Sequence, residues 1–226
     1  LKFLRDDGTF DADLFRRCVE LVITAMDISI CFADFPTEAI TETTRAYRQL
    51  GIGYANLGAL LMATGHGYDS AGGRSLAASI TSLMTGTAYK RSAELAGVVG
   101  PYDGYARNVD AHKRVMRKHA AANDALRTRD EVDKPIHALA TKVWQECLKI
   151  GAANGWRNAQ ASLLAPTGCL TGDTLITTDR GLARLSDLGD VWGEQWQRLD
   201  ATVSTDEGER TATQFFVNGE EPTRRI

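Results

Sequence analysis

The chain lacks any run of twenty apolar residues; its nearest approach, CVELVITAMDISICFADF, is interrupted by Glu20, Asp27 and Asp34. A stretch broken by carboxylates reads as an amphipathic helix, so no membrane partner is expected. An opening methionine and a basic-then-apolar leader are also missing, and the LKFL start reads as the interior of a longer polypeptide. Cysteine is scarce. Cys18, Cys31, Cys147 and Cys169 show no C-x-x-C spacing and no nearby histidine pair, so neither a metal site nor a redox pair is expected. Three of them sit in helical patterns, where a small buried hydrophobe is the usual role, and a reducing, cytoplasmic setting follows. A surplus of one charge is absent too. The net charge is −3, divided as +2 over residues 1–168 and −5 over residues 169–226, which argues against direct DNA binding.

What is present suffices for a core: 226 residues, 43% hydrophobic and 24% charged. Leu14, Cys18, Leu21, Ala25, Ile28 and Phe32 recur at steps of three and four, one face of a helix with Asp11 as its N-cap and Pro36 at its exit. Helices follow over PTEAITETTRAYRQ, after a strand-like entry at 50–54, over GRSLAASITSLMTGTAYKRSAELAGVVG as far as Gly100-Pro101, over DAHKRVMRKHAAANDALRTRDEVDK, and over PIHALATKVWQECLKIGAANG. RNAQASLLAP reads as a buried strand. Helices alternating with short strands give an α/β class.

After Cys169 the period changes from that of helices to that of sheets. TLITT reads as a strand and Asp179-Arg180-Gly181 as a turn. Two further extended runs are punctuated by Asp206-Glu207-Gly208 and Asn218-Gly219, the second a hairpin signal. The boundary between 1–168 and 169–226 carries no Ser/Gly/Pro linker.

Gly51, Gly53 and Gly58 miss the dinucleotide-loop spacing and follow a polar stretch, so they read as packing glycines. His112 and His119, among Lys113, Arg114, Arg117 and Lys118, read as part of a solvated basic face. Tyr54, Trp144 and Trp156 read as core. Ala-Pro-Thr-Gly at 165–168 ends a strand with exposed amides and a hydroxyl; from the residues alone it is either a phosphate-holding strand end or an ordinary turn. Cys169 stands one residue beyond the Gly168 carbonyl. A thiol there attacks the preceding peptide bond without a binding step, and Gly168 offers no Cβ to obstruct it. An ordinary buried cysteine is the alternative.

These residues carry two resemblances. LKFLRDDGTFD, LGIGYANLGALLMATGHGYDS, GRSLAASITSLMTGTAY, GPYDGYARN and GWRNAQASLLAPTG resemble the catalytic subunit of adenosylcobalamin-dependent (class II) ribonucleotide reductases over residues 1–168. The resemblance implies a mostly helical segment of a ten-stranded α/β barrel, a ribonucleotide substrate and adenosylcobalamin as cofactor. It implies that Pro166, Thr167 and Gly168 hold the substrate's phosphates through backbone amides and the threonine hydroxyl. The family's radical-bearing cysteine and its cobalamin contacts are expected outside this segment.

CLTGDTLITTDRGLARLSDL resembles the opening block of an intein of the all-β Hint fold, over residues 169–226. This implies that Cys169 performs an N-to-S acyl shift on Gly168. The family's Thr-x-x-His block, its terminal His-Asn pair and the downstream acceptor are not found in residues 170–226, so the remainder of the reductase and intein chain is the expected partner. The segment alone is then expected to be silent in both reactions. A naturally split intein, or a non-catalytic helical binding module with a β appendage, are the alternatives.

Overall fold

Asp11 opens the first helix as its position suggests: its carboxylate accepts the Leu14 amide at 2.9 Å, satisfying one of the N–H groups a helix start leaves unpaired. In the computed structural model, which describes residues 2–165, 174–190, 192–194, 196–205 and 208–217, the chain divides into two units, Leu1–Ala165 and Pro166–Ile226.

The first unit is mostly helical. Helix α1 spans Ala12–Ser29, α2 Glu38–Tyr47, α3 Leu57–Ala63, α4 Ala71–Val99, α5 Val109–Asp124 and α6 Asp133–Asn154. Thr37 caps α2 through the Ile40 amide, and Ser70 caps α4 through Gly73. Gly100 and Gly155 end α4 and α6 with positive φ of 84° and 73°, the conformation that glycine adopts most readily. Helix α4 is the central post, burying Leu76, Ile80, Leu83, Met84, Ala88 and Ala93. Its main neighbour is α6, and small residues let the two approach: a Cβ on Gly86 would stand 2.9 Å from the Trp144 ring nitrogen.

Three expectations are corrected here. The α1 face read from Leu14, Cys18, Leu21, Ala25, Ile28 and Phe32 points outward; Phe15, Val19 and Ile23 form the buried face instead. Both series keep helical spacing, so the period alone could not choose between them. Helix α5 stops at Asp124, and Asp133 starts α6 after a loop held by carboxylates. Cys31 lies beyond the end of α1 and is exposed, whereas Cys147 is fully buried and Cys18 half-buried.

The second unit contains an antiparallel sheet in the order β2-β1-β3-β4, with β1 Leu175–Thr178, β2 Gly181–Arg184, β3 Trp196–Thr205 and β4 Gly208–Phe216. Thr178 builds the β1–β2 turn: its hydroxyl donates to the Gly181 carbonyl and accepts the Arg180 amide. The register Thr177↔Leu182 sets Leu182 on the Leu175 face, and both are exposed. Phe215 is the buried aromatic, lying so close to Gly189 that a Cβ there would meet its ring at 2.4 Å. The expected Asn218-Gly219 turn lies outside the described residues.

Among the described residues no helix is long and apolar enough to cross a membrane.

Candidate functional site at paired strand ends

Two extended segments, near 50–53 and 160–163, run parallel. The Leu50 amide donates to Gln160 O at 2.8 Å, Ile52 to Ala161 O at 3.0 Å, and Leu163 to Ile52 O at 2.9 Å. Parallel neighbours need a crossover connection, supplied here by the helices between them. Their carboxyl ends, Gly53-Tyr54 and Leu163–Ala165, therefore open on the same side, where open α/β architectures place ligands. Gly53 permits this approach, because a Cβ there would stand 2.7 Å from the Leu163 carbonyl oxygen.

A polar stripe on α4 fastens both ends. Thr81 Oγ1 lies 2.7 Å from the Tyr54 hydroxyl, Thr85 Oγ1 lies 3.1 Å from Ser162 Oγ, and the Tyr89 hydroxyl is hydrogen-bonded to the Ala161 backbone. Steps of four place all three on one helix face. The sequence reading missed this stripe; its signal was two threonines and a tyrosine at i, i+4 and i+8 within a helix of small and apolar residues. Burial raises the Tyr89 hydroxyl above the usual phenol range, so it stays protonated at neutral pH.

A buried ionic network fixes the approach to the second strand. Arg48, held in a left-handed conformation at φ 48°, donates from Nε to Asp27 Oδ1 at 2.9 Å and from Nη2 to the Asp27 carbonyl at 2.5 Å. Asn158 donates from Nδ2 to Asp27 Oδ1 at 2.8 Å and to the Arg48 carbonyl at 3.0 Å, while Ser92 Oγ donates to Asn158 Oδ1 at 2.8 Å. Arg157 Nε stands 3.5 Å from Asp27 Oδ2 as a charge neighbour that makes no hydrogen bond. The network ties α1, the end of α2 and α4 to the segment that becomes the strand. The buried strand expected over 157–166 is reduced to an extended segment with one parallel bridge, Ile52↔Ser162; Ala161 is buried, whereas Gln160, Leu163 and Leu164 are exposed.

His112 corrects another reading. It is buried rather than solvated, its ring stacked on Trp156 at 4.8 Å and its Nδ1 3.3 Å from the Tyr102 hydroxyl. Burial pushes its pKa down to about 4, so the ring is neutral at pH 7. His119 packs face-on between Tyr89 and Trp144. Burial pushes the Cys147 thiol up to about 12, which leaves it unreactive. The core roles expected for Trp144 and Trp156 hold.

Pro166, Thr167, Gly168 and Cys169 lie outside the described residues: the chain is described to Ala165 and again from Thr174. Among the described residues, no three His, Cys, Asp or Glu side chains gather as metal ligands.

Residues 1–172 match the ribonucleotide reductase barrel domain family. The vitamin B12-dependent ribonucleotide reductase of Streptantibioticus cattleyicolor is 67% identical over 220 residues, covering 90% of this chain and 36% of that protein. The enzyme of the same name from Streptomyces clavuligerus is 67% identical over 212 residues, covering 90% and 22%. That of Rhodopirellula baltica is 40% identical over 171 residues, covering 76% and 16%. The chain thus spans little more than a third, or less, of the length of these curated relatives. A share of 90% also takes in residues beyond Gly168. With its parallel strand ends and a family match over most of its length, the chain belongs to the ribonucleotide reductase barrel domain family.

Proposed function

We propose that this chain is a segment of an adenosylcobalamin-dependent ribonucleotide reductase, and that its strand end at Leu163–Ala165 delivers Pro166, Thr167 and Gly168 to the phosphates of a ribonucleotide. The observation that carries this is the parallel pair 50–53 and 160–163, with both carboxyl ends on one side and fastened by Thr81, Thr85 and Tyr89 of α4. The consecutive backbone N–H groups of Thr167 and Gly168, plus the threonine hydroxyl, suit an anion of high charge, whereas Pro166 has no N–H to donate and fixes the turn instead. A rigid strand end presents them without a reorganisation cost at the moment of binding. The parent enzyme reduces ribonucleotides to deoxyribonucleotides for DNA synthesis, and the relatives' names support cobalamin dependence.

Two cavities of the first unit, of about 280 and 260 Å³, are each smaller than a corrin requires. Cobalamin contacts are assigned to other parts of the parent polypeptide.

We further propose that Cys169 is the first residue of an intein of the Hint fold. Its thiolate attacks the Gly168 carbonyl carbon, the C–N bond to Cys169 breaks, and the freed amine takes up a proton, leaving a thioester. The antiparallel sheet that begins at Leu175 supports the reading. Completion of splicing needs residues absent from 170–226, so the isolated chain is inert. One finding favours a second reading, in which residues after Gly168 are reductase: the aligned share of the Streptomyces clavuligerus enzyme runs past that point.

The reductase assignment is tested on the full-length parent with adenosylcobalamin and a dithiol reductant. Thr167→Ala is expected to raise KM for the ribonucleotide by roughly tenfold, the loss of one hydrogen bond to a charged group, with cobalamin affinity unchanged. An unaltered KM would remove Thr167 from the phosphate site.

A further inference from the structure

Three side chains from two loops of the first unit meet at hydrogen-bond distance. Thr64 and His66 stand between α3 and α4, and Asp130 stands between α5 and α6. Thr64 Oγ1 lies 2.9 Å from His66 Nδ1, and His66 Nε2 lies 2.7 Å from Asp130 Oδ2. The bonds around them place the protons of the neutral ring. Asp130 Oδ1 accepts the amides of Val132 and Asp133 at 2.8 and 3.2 Å, which leaves Oδ2 for the imidazole. The bond from His66, and after it those two amides, hold the Asp130 carboxyl below its usual range. A carboxylate only accepts, so Nε2 carries the proton and Nδ1 is the bare nitrogen that faces the hydroxyl. Thr64 Oγ1 also lies 2.9 Å from the Leu60 carbonyl and 3.1 Å from that of Leu61. Both carbonyls already accept backbone amides, from Thr64 and His66, so the hydroxyl proton is free to turn to Nδ1.

We propose that Thr64 is an activated nucleophile that accepts small acyl groups from activated esters, with His66 as its base and Asp130 as the residue that positions the ring. A hydroxyl, a base within hydrogen-bond reach and a third group orienting that base are what nucleophilic attack at neutral pH requires. Thr64 Oγ1 bonds to the acyl carbon as its proton passes to His66 Nδ1. The bond from that carbon to the leaving oxygen then breaks, and the proton moves from Nδ1 to the leaving oxygen. The products are a threonyl ester and a free alcohol. Gly72, in the first turn of α4, gives the ring its place: a Cβ there would stand 2.7 Å from His66 Cδ2. Other charges of these loops are engaged elsewhere. Asp69 pairs with Arg74, Glu131 pairs with Lys134, and Asp133 accepts from Ser75 Oγ and the Arg129 amide. Thr64 and His66 remain partly exposed, which admits a small acyl donor.

The test incubates the full 226-residue chain with p-nitrophenyl acetate and reads acetylation by mass spectrometry of the tryptic peptide from Gln49 to Arg74, which holds both Thr64 and Ser70. Thr64 is expected to label at least about tenfold faster than the Ser70 hydroxyl, and His66→Gln, which removes the base, should slow Thr64 by at least about tenfold. Asp130→Asn should move the rising limb of the rate–pH profile to lower pH, because the ring loses the carboxylate that favours its cation. A loss of packing alone would not move that limb. Labelling of Thr64 no faster than of Ser70, or unchanged in His66→Gln, would overturn the proposal. Should His66→Gln unfold by circular dichroism, the Asp130→Asn profile decides: a limb that stays in place overturns it.

Discussion

Asp27 and Arg48, 21 residues apart in sequence, meet at 2.9 Å in the interior, and Asn158 closes the pair by bonding to both. The extended segment that leads to the candidate phosphate loop begins immediately after that asparagine, so the site inherits its position from a buried charge pair. Replacing one partner leaves the other charged and desolvated. Asp27→Ala is therefore expected to lower the unfolding free energy of the full chain by about 3–5 kcal/mol. Arg5→Ala, which removes the half-exposed Arg5–Asp11 pair, should cost about 1 kcal/mol or less. Urea titration followed by circular dichroism measures both.

Gly53 and Gly51 lie two residues apart on the same strand, yet only Gly53 faces backbone. Gly53→Ala must push the Leu163 carbonyl away from a Cβ at 2.7 Å, and is expected to destabilise by about 1–3 kcal/mol. Gly51→Ala meets the Leu163 side chain at 3.4 Å and should be markedly milder. Thermal unfolding of the two variants makes the comparison.

Stability should also fall with acid in a defined window. The unfolded chain binds a proton at His112 near its ordinary pKa of 6.5, whereas the folded chain resists until about pH 4. Between those values the unfolded state holds more protons, so stability decreases as pH falls through the window, by up to about 3 kcal/mol. His119, lowered by burial as well, acts in the same direction. His112→Phe should flatten the pH dependence of the urea midpoint between pH 7 and pH 4.5; an unchanged slope would show that the ring is not held neutral by the fold.

Much of this architecture can be read from the residues. The cap at Asp11 and the helix stop at Gly100 follow from local chemistry that survives packing, whereas the strand expected before Pro166 shrinks to one bridge, Ile52↔Ser162. The α1 face does not, because Phe15, Val19 and Ile23 compete with an equally periodic series and only tertiary contacts choose between them. His112 is misread for a related reason: Lys113, Arg114, Arg117 and Lys118 surround it in sequence, but about 100° of rotation per residue sets it on the inner face of α5 against Trp156. The Thr81–Thr85–Tyr89 stripe gains meaning only once the strands lie beside it. Arg48 and Asp27 carry no local signal at all, since a buried pair is a property of two distant segments.

Thiol reactivity should follow burial. Cys31 is exposed and Cys147 sits in the core with its pKa pushed up to about 12. Iodoacetamide at pH 8 is expected to modify Cys31 first and to leave Cys147 unmodified until denaturant is added. Peptide mass mapping over time reads the order, and early labelling of Cys147 would contradict the packing around Trp156.

The most direct test of the whole account is the mass of the mature parent protein across one bond. Trypsin cuts after Arg157 and Arg180, so a chain that keeps its sequence yields the peptide from Asn158 to Arg180, which contains the Gly168–Cys169 link. An excised insert predicts instead that this peptide is missing, that the protein is shorter than its gene, and that Gly168 is joined to a residue encoded further on. Recovery of the intact 158–180 peptide from active, mature reductase would contradict the assignment of Cys169.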